Sequence, residues 1–388
     1  MRFFHLADLH IGKKVNGYSM VDDQRVILKQ VTRLIAQEKP NALILAGDIY
    51  DRRNPPIEAV SLFDEFVSEV VLDLKVPILA IGGNHDGGER LGFANAIQAK
   101  VGLHLVGNFT WPIPKVRFEE EEGPVDVYLM AYADLAVLHT VVPETEGLSY
   151  VQAMDWILNH TEVDEKARYV LVAHGVVPGD DELVTSDSER VLSIGGTEYW
   201  KSASLSKFDY VALGHLHQHQ RAGSENIRYA GSLMQYSFSE EKHQKVMLDV
   251  VLSEKQMVQY TPIPLDAPHK LVTIKGHLEE LLKVPVAVKP HQEDYVRVIL
   301  EDSGSLIEPM QRLKSCYPNI MLLERQAALV ANTDSVAPIA KKSALSPLAL
   351  FETFYEQVTE QVPEKEMSTV MQEIFEEVQK EELCDLLH

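Results

Sequence analysis

The chain has 388 residues, 45 % of them hydrophobic and 24 % charged, with a formal net charge of −22 at pH 7. These are globular values, sufficient for two or three domains at roughly 150 residues each, and they exclude a disordered or fibrous chain. Such acidity turns the surface as a whole away from nucleic acid and anionic membranes, so a polyanionic ligand would need a local positive device, such as bound metal or a basic strip.

Residues 1–7 form the first apolar strand-like run. The first ten residues are interrupted by His5, Asp8 and His10, which reads against a signal peptide. Further short apolar runs at 42–46, 77–81, 127–132, 169–173 and 210–213 alternate with amphipathic helical patterns at 22–37, 57–72 and 150–159. In the second helix Val60, Phe63, Val67, Val70 and Val71 make a stripe of 3.6-residue period. Strand–helix alternation of this kind predicts a layered α/β domain. After Gly214 the runs at 227–230 and 246–252 resemble an antiparallel extension of the sheet. Pro262, Pro264 and Pro268 then suggest a boundary near residue 265.

Residues 266–330 read as a small α+β module: strands at 270–274, 294–300 and 320–324, helices at 278–282 and 305–316. A polar stretch at 331–345 reads as a linker. Residues 346–388 are helical by pattern, with Ser346 as N-cap and Pro347 in the first turn. Pro363 separates two helices there, and Ser368 is the expected cap of the second. From residue 341 onward, four lysines face eleven acidic residues. The two cysteines, Cys316 and Cys384, make no disulfide framework. No apolar run reaches the ~18 residues of a membrane span, and a soluble, cytoplasmic protein without membrane contact is expected.

Five of the apolar runs end in groups able to bind metal. Asp8 and His10 follow the first, Asp48 and Asp51 the second, and Asn84, His85 and Asp86 the third. His174 follows the fifth, and His215 and His217 the sixth. Ligand crevices of open α/β sheets lie at the carboxyl ends of strands, so all five groups are expected at one edge of one sheet. Each fragment alone is commonplace in turns and cores; the ordered set is not. Carboxylates, imidazoles and an amide oxygen, without thiolate, suit hard or borderline divalent ions, manganese among them. Seven candidate ligands exceed one tetrahedral site but suit two adjacent ions, with a carboxylate such as Asp48 as bridge. Two ions about 3.5–4 Å apart clamp a phosphoryl group and generate hydroxide near neutral pH. Gly47, Gly83 and Gly214, each just before a ligand, permit tight strand-to-loop turns.

This ordered set resembles the calcineurin-like metallophosphoesterase superfamily, and within it the SbcD nuclease family. The opening phrase from His5 to Lys13 and the later Tyr229–Phe238 phrase carry the closer likeness, which extends over nearly the whole chain. The resemblance implies a four-layer α/β/β/α sandwich at residues 1–265, a small α+β capping domain and a C-terminal helical tail. It implies that Asp8, His10 and His217 hold one ion, that Asn84, His174 and His215 hold the second, and that Asp48 bridges. His85 matches the family's catalytic histidine, which protonates the leaving oxygen or stabilises the phosphorane charge. Asp86 is expected to orient its loop. Some family members carry a second catalytic histidine three residues after the bridging aspartate; here that position is Asp51, so a two-histidine mechanism is not carried over and Asp51 is read as a supporting group.

Lys13, Lys14, Arg52 and Arg53 border the expected metal edge and are candidates for DNA phosphate contact. The chain lacks the Gly-x-x-x-x-Gly-Lys-Ser/Thr phosphate loop, so ATP would be bound by another chain, which the resemblance identifies as the SbcC ATPase. Leu348, Phe351, Phe354 and Tyr355 offer an apolar helical face for that partner's coiled-coil base. The resemblance further implies a homodimer within a heterotetramer, and double-strand 3′→5′ exonuclease and endonuclease action on DNA ends and hairpins in recombination, replication and repair. A phosphatase or cyclic-nucleotide phosphodiesterase on the same two-metal scaffold is the alternative.

Overall fold

A computed structural model of the chain describes residues 1–178, 183–189, 198–255, 257–285, 289–302, 305–326, 348, 351, 355 and 367–372. The chain divides into two compact units, residues 1–299 with 306–323, and residues 300–305 with 324–388.

Two six-stranded sheets build the first unit. One runs, in spatial order, Met257–Pro264, Val246–Glu254, Arg2–Leu6, Ala42–Ala46, Ile78–Ile81 and Leu103–Val106. The last four are mutually parallel, and the first two join antiparallel. The other runs Gln220–Ala222, Ser224–Tyr229, Tyr210–Gly214, Arg168–His174, Val125–Met130 and Lys115–Phe118, with a parallel centre and antiparallel edges.

Side chains alternate across each strand, and here both faces are covered. Phe3, Ile44, Leu79, Val127, Leu129, Val170, Val172, Ala212 and Leu248 form the core between the sheets. Their neighbours Phe4, Leu6, Leu43 and Leu45 pack outward with Ile27, Val31 and Ile35 of the helix Val21–Glu38. On the other flank, Tyr128, Leu171, Val211 and Leu213 meet Ala153, Met154 and Ile157 of the helix Tyr150–His160. The result is the four-layer α/β/β/α order. Ser149 starts the helix Tyr150–His160 with a reciprocal cap: its hydroxyl accepts from Gln152 N, and its own N–H donates to Gln152 Oε1 at 2.9 Å.

Three expectations need correction. The five ligand groups do not share one sheet: the strands before Asp8, Asp48 and Asn84 lie in the first, and those before His174 and His215 in the second. Apolar runs announce strands but not how they partition between sheets. For the same reason the strands after Gly214 do not extend one sheet, because Ser224–Tyr229 pairs parallel with Tyr210–Gly214 while Val246–Glu254 pairs antiparallel with Arg2–Leu6. The helix Ile57–Ser68 buries Ala59, Leu62, Phe63, Phe66 and Val67, and its π-helical continuation buries Val70 and Val71. Val60, however, is 41 % exposed, beside an 81 % exposed Ile57; of the first turn only Ala59 is covered.

The α+β module consists of Leu271–Gly276, Tyr295–Leu300 and Ile320–Arg325 in that order, with the helices Leu278–Leu281 and Pro309–Lys314. The second helix is shorter than expected, its first turn being set by Pro309. Tyr18 donates to Ile320 O at 3.0 Å, Leu271 N to Gln235 Oε1 at 2.8 Å, and His269 Nδ1 pairs with Asp23 at 3.0 Å. These bonds lie within the first unit.

In the second unit, Leu348, Phe351 and Tyr355 are helical and half-buried, with the Phe351 and Tyr355 ring centroids 6.0 Å apart. Phe354, Ser346, Pro347, Pro363 and the linker expected at 331–345 lie outside the described residues. Residues 367–372 are helical, so Ser368 sits inside that helix instead of capping it. Among the described residues no helix is long and apolar enough to cross a membrane.

Candidate metal centre

Four of the candidate ligands occupy a backbone region that L-residues avoid: Asp8 has φ 50°, His10 43°, Asp48 49° and His215 109°. Each such conformation costs about 1–3 kcal/mol and persists only where the surroundings dictate it. The surroundings here are close. Gly47 has φ 89°, and a Cβ on it would stand 2.3 Å from His174 Nδ1. Gly83 is needed for space and not for its φ, because its Cβ would meet Asp48 Oδ1 at 2.2 Å. Gln24, from the first helix, holds the loop after the first strand: it donates to His10 O at 2.8 Å and accepts from Gly12 N at 3.0 Å.

Asp8, His10, Asp48, Asn84, His174, His215 and His217 are all buried and converge between the ends of the two sheets. Ligand-capable atoms of Asp8, His10 and His217 lie within 4.8 Å of one another, as do those of Asp8, Asp48 and His174, and of His10, Asp51 and His85. Asp48 Oδ2 stands between two imidazoles, 3.6 Å from His10 Nε2 and 3.5 Å from His174 Nε2. His10 Nε2 and His217 Nε2 are 3.1 Å apart. The Asp8 carboxylate accepts the His215 N–H at 2.9 and 3.0 Å, and the His215 ring stands edge-on to His174 at 5.5 Å.

Hydrogen-bond direction tests whether this set fits a cation. A carbonyl can only accept, so His174 carries its proton on Nδ1, bonded to Ala46 O at 2.9 Å. Its Nε2 then presents a lone pair to Asn84 Oδ1 at 3.0 Å and to Asp48 Oδ2. Asn84 Nδ2 and His10 Nδ1 are buried with no hydrogen-bond partner. Electron-pair donors facing one another repel, and a cation at their focus reverses the sign. The donor set therefore fits divalent metal. Burial, reinforced by Asp48, pushes the Asp8 pKa well above its ordinary value; burial, then His217, pushes that of His10 far down. His215 and His174 are likewise lowered, chiefly by burial. Neutral imidazole is the ligand form, and positive charge at the focus would favour ionised Asp8.

His85 lies beside this set. Its N–H donates to Asp48 Oδ1 at 2.9 Å, its Nδ1 donates to Asp51 O at 2.9 Å, and its ring stands edge-on to His10 at 4.8 Å. Nδ1 being committed, Nε2 is the nitrogen left for proton exchange. Asp51 thus acts through its backbone on His85, while its carboxylate takes Lys13 Nζ at 2.8 Å and lies 3.8 Å from His10 Nδ1. Asp86 accepts from Ile49, Tyr50 and Gly83 N–H at 2.9–3.0 Å, joining the loops after the second and third strands. Burial and Asp48 push its pKa up to about 7, against those three donors.

The basic residues divide. Lys13 is turned inward onto Asp51 and over the Tyr236 ring, whereas Lys14, Arg52 and Arg53 are exposed. Arg53 joins Asn84, Asp86, Arg90, Phe109 and Tyr132 along an open groove of about 660 Å³ beside the cluster. Sequence reasoning missed the groups behind His217, namely the half-buried Ser188 and Glu189 and the buried Glu240 and Lys245. Glu240 and Lys245 carried a signal, as charges a few residues beyond the Tyr229–Phe238 phrase; Ser188 and Glu189, on a polar loop, carried none.

Residues 1–219 match the family model of calcineurin-like phosphoesterases, and residues 267–359 that of the type 5 capsule protein repressor C-terminal domain. The chain is 30 % identical over 368 residues to the SbcD subunit of the nuclease SbcCD from Staphylococcus epidermidis, an alignment covering 93 % of this chain and 94 % of that protein. Among solved structures, a dimetal phosphatase from Danio rerio covers 69 % of this chain and 99 % of its own at 13 % identity and a TM-score of 0.41. A Thermus thermophilus protein covers 67 % of this chain and 98 % of its own at 11 % identity and a TM-score of 0.34.

Proposed function

The chain belongs to the calcineurin-like phosphoesterase family, and within it to the SbcD subunits of SbcCD nucleases; from that premise we propose that it is a two-metal DNA phosphodiesterase acting with a separate ATPase chain. The observation that carries the reading is the position of Asp48 Oδ2 between His10 Nε2 and His174 Nε2, a carboxylate placed to serve two cation sites. Asp8, His10 and His217 would hold one divalent ion, Asn84, His174 and His215 the other, with Asp48 shared. Oxygen and imidazole donors without thiolate suit hard or borderline divalent ions, manganese among them. Such ions polarise a phosphoryl oxygen and supply nucleophilic water near neutral pH.

The chain's own groups do the rest. His85, its Nδ1 held by Asp51 O, would in the imidazolium form deliver a proton from Nε2 to the leaving oxygen. Asp86 keeps the loops that bear Asp48 and Asn84 in register. Lys14, Arg52 and Arg53 position backbone phosphates in a sequence-independent way, and the groove beside Arg53 gives a strand room to lie. The family relationship supports 3′→5′ double-strand exonuclease and endonuclease action on ends and hairpins in DNA recombination, replication and repair. It also supports an SbcC partner received by the face of Leu348, Phe351, Phe354 and Tyr355, a homodimer within that assembly, and a cytoplasmic setting. The domain limits expected from sequence, 1–265, 266–330 and the tail from 346, are part of this proposal.

Turnover of linear duplex DNA and of a nitrophenyl phosphodiester, each with and without manganese, tests it. Manganese-dependent DNA cleavage is expected. Hydrolysis of the small diester alone would point to a phosphatase or cyclic-nucleotide phosphodiesterase instead.

A further inference from the structure

His217 is gripped at three points. Its N–H donates to Glu189 Oε1 at 2.7 Å, and its carbonyl accepts from Lys245 Nζ at 2.9 Å. Its ring Nδ1 lies 3.0 Å from Glu240 Oε1 and 2.7 Å from Ser188 Oγ. The same lysine holds the second oxygen of that carboxylate, with Nζ 2.6 Å from Glu240 Oε2, and also donates to Ser232 Oγ at 2.8 Å. Ser188 Oγ in turn donates to Glu240 Oε1. Glu240 is 0 % exposed, His217 1 % and Lys245 7 %, and Ser232 is buried as well, while Ser188 and Glu189 are half-buried.

Proton bookkeeping gives the arrangement a consequence. An ionised carboxylate has nothing to donate, so Nδ1 must carry the hydrogen of the neutral ring. The Ser188 hydroxyl has given its own hydrogen to Glu240, so its oxygen receives from Nδ1 as well. The ring is then left with its lone pair on Nε2, the atom 3.1 Å from His10 Nε2. We propose that Glu240, braced by Lys245, is the positioning residue that fixes the tautomer and orientation of His217 for the cation shared with Asp8 and His10. Outer partners of this type typically change metal affinity by about 10–100-fold when removed. His174 Nδ1 instead bonds a backbone carbonyl, and His10 Nδ1 has no hydrogen-bond partner, with the Asp51 carboxylate 3.8 Å away. Loss of Glu240 should therefore affect one of the two ions.

The inference rests on His217 being a metal ligand, and the test separates the two claims. Manganese binding to the full chain is measured by equilibrium dialysis and calorimetry for the unaltered protein and for Glu240→Gln, with thermal unfolding of the metal-free proteins alongside. The unaltered chain should bind two ions. Glu240→Gln should bind one as before and the other about 10–100-fold more weakly. Unchanged affinity at both sites would overturn the proposal, and an unaltered chain that binds no manganese would overturn the metal reading with it. Should Glu240→Gln fail to fold, histidine-selective ¹⁵N spectra of the metal-free unaltered chain decide, with the His217 signal assigned by its loss in His217→Asn. Hydrogen on Nδ1 supports the positioning role, and hydrogen on Nε2 contradicts it.

Discussion

The hydrogen-bond partner of one histidine nitrogen decides what the other can do, and three neighbours settle that here. Ala46 O sets His174, Glu240 sets His217, and Asp51 O sets His85. With Nδ1 engaged in all three, Nε2 of His174 and His217 is left as an electron-pair donor suited to a cation, and Nε2 of His85 is the nitrogen left to exchange a proton. His85→Gln keeps a side chain of similar reach but cannot deliver a proton at that position. Manganese-dependent DNA cleavage should fall about 10²–10⁴-fold, while manganese stoichiometry measured by dialysis stays the same. Loss of the metal along with activity would make His85 a ligand and not the acid. The identities of these side chains were legible in the sequence because each closes an apolar run. Their protonation was not, since it depends on partners as remote as Ala46 for His174.

At the scale of elements, what sequence revealed depends on how each strand meets solvent. Ala42–Ala46 is buried throughout and reads from sequence with its observed limits. Lys115–Phe118 went unread because it is a short edge strand with alternating exposure and charges at Lys115 and Arg117. Met257–Pro264 was obscured by Pro262 and Pro264, which suggest a boundary but are tolerated on a sheet edge.

The Lys115–Phe118 edge is held electrostatically. Buried Asp126, on the neighbouring strand, accepts from Lys115 Nζ at 2.6 Å and from Arg117 Nε at 2.7 Å. Burial alone would raise the Asp126 pKa, but the two cations outweigh it and hold it below 3.8. A carboxyl whose folded pKa is depressed stabilises the fold fully above its unfolded value and loses that contribution as pH falls through the folded one. The melting temperature of the unaltered protein should therefore drop more steeply below about pH 4 than that of Asp126→Asn. Parallel curves would show that the pair contributes nothing to acid sensitivity.

The whole molecule faces a contradiction between its net charge of −22 and a polyanionic substrate. In the proposed function, bound metal would answer part of it, and the exposed Arg52 and Arg53 beside the cluster would answer the rest. Replacing both with serine should raise KM for duplex DNA about tenfold or more at physiological salt, where each lost phosphate contact reduces affinity, and leave nitrophenyl diester turnover unchanged. An equal loss on both substrates would place the arginines in the chemistry instead. What sequence could not supply at this scale is the pairing of two sheets end to end. That juxtaposition brings candidate ligands from residues 8 to 217 within a few ångströms, and no local pattern encodes it.

The account stands on that meeting of seven side chains around a pair of cations. The most direct test is a crystal of the chain grown with manganese, with anomalous scattering recorded near the metal edge. Two peaks about 3.5–4 Å apart, flanking the Asp48 carboxylate and contacted by Asp8, His10 and His217 on one side and Asn84, His174 and His215 on the other, are predicted. A map with no peak within bonding distance of these residues would contradict the two-metal chemistry.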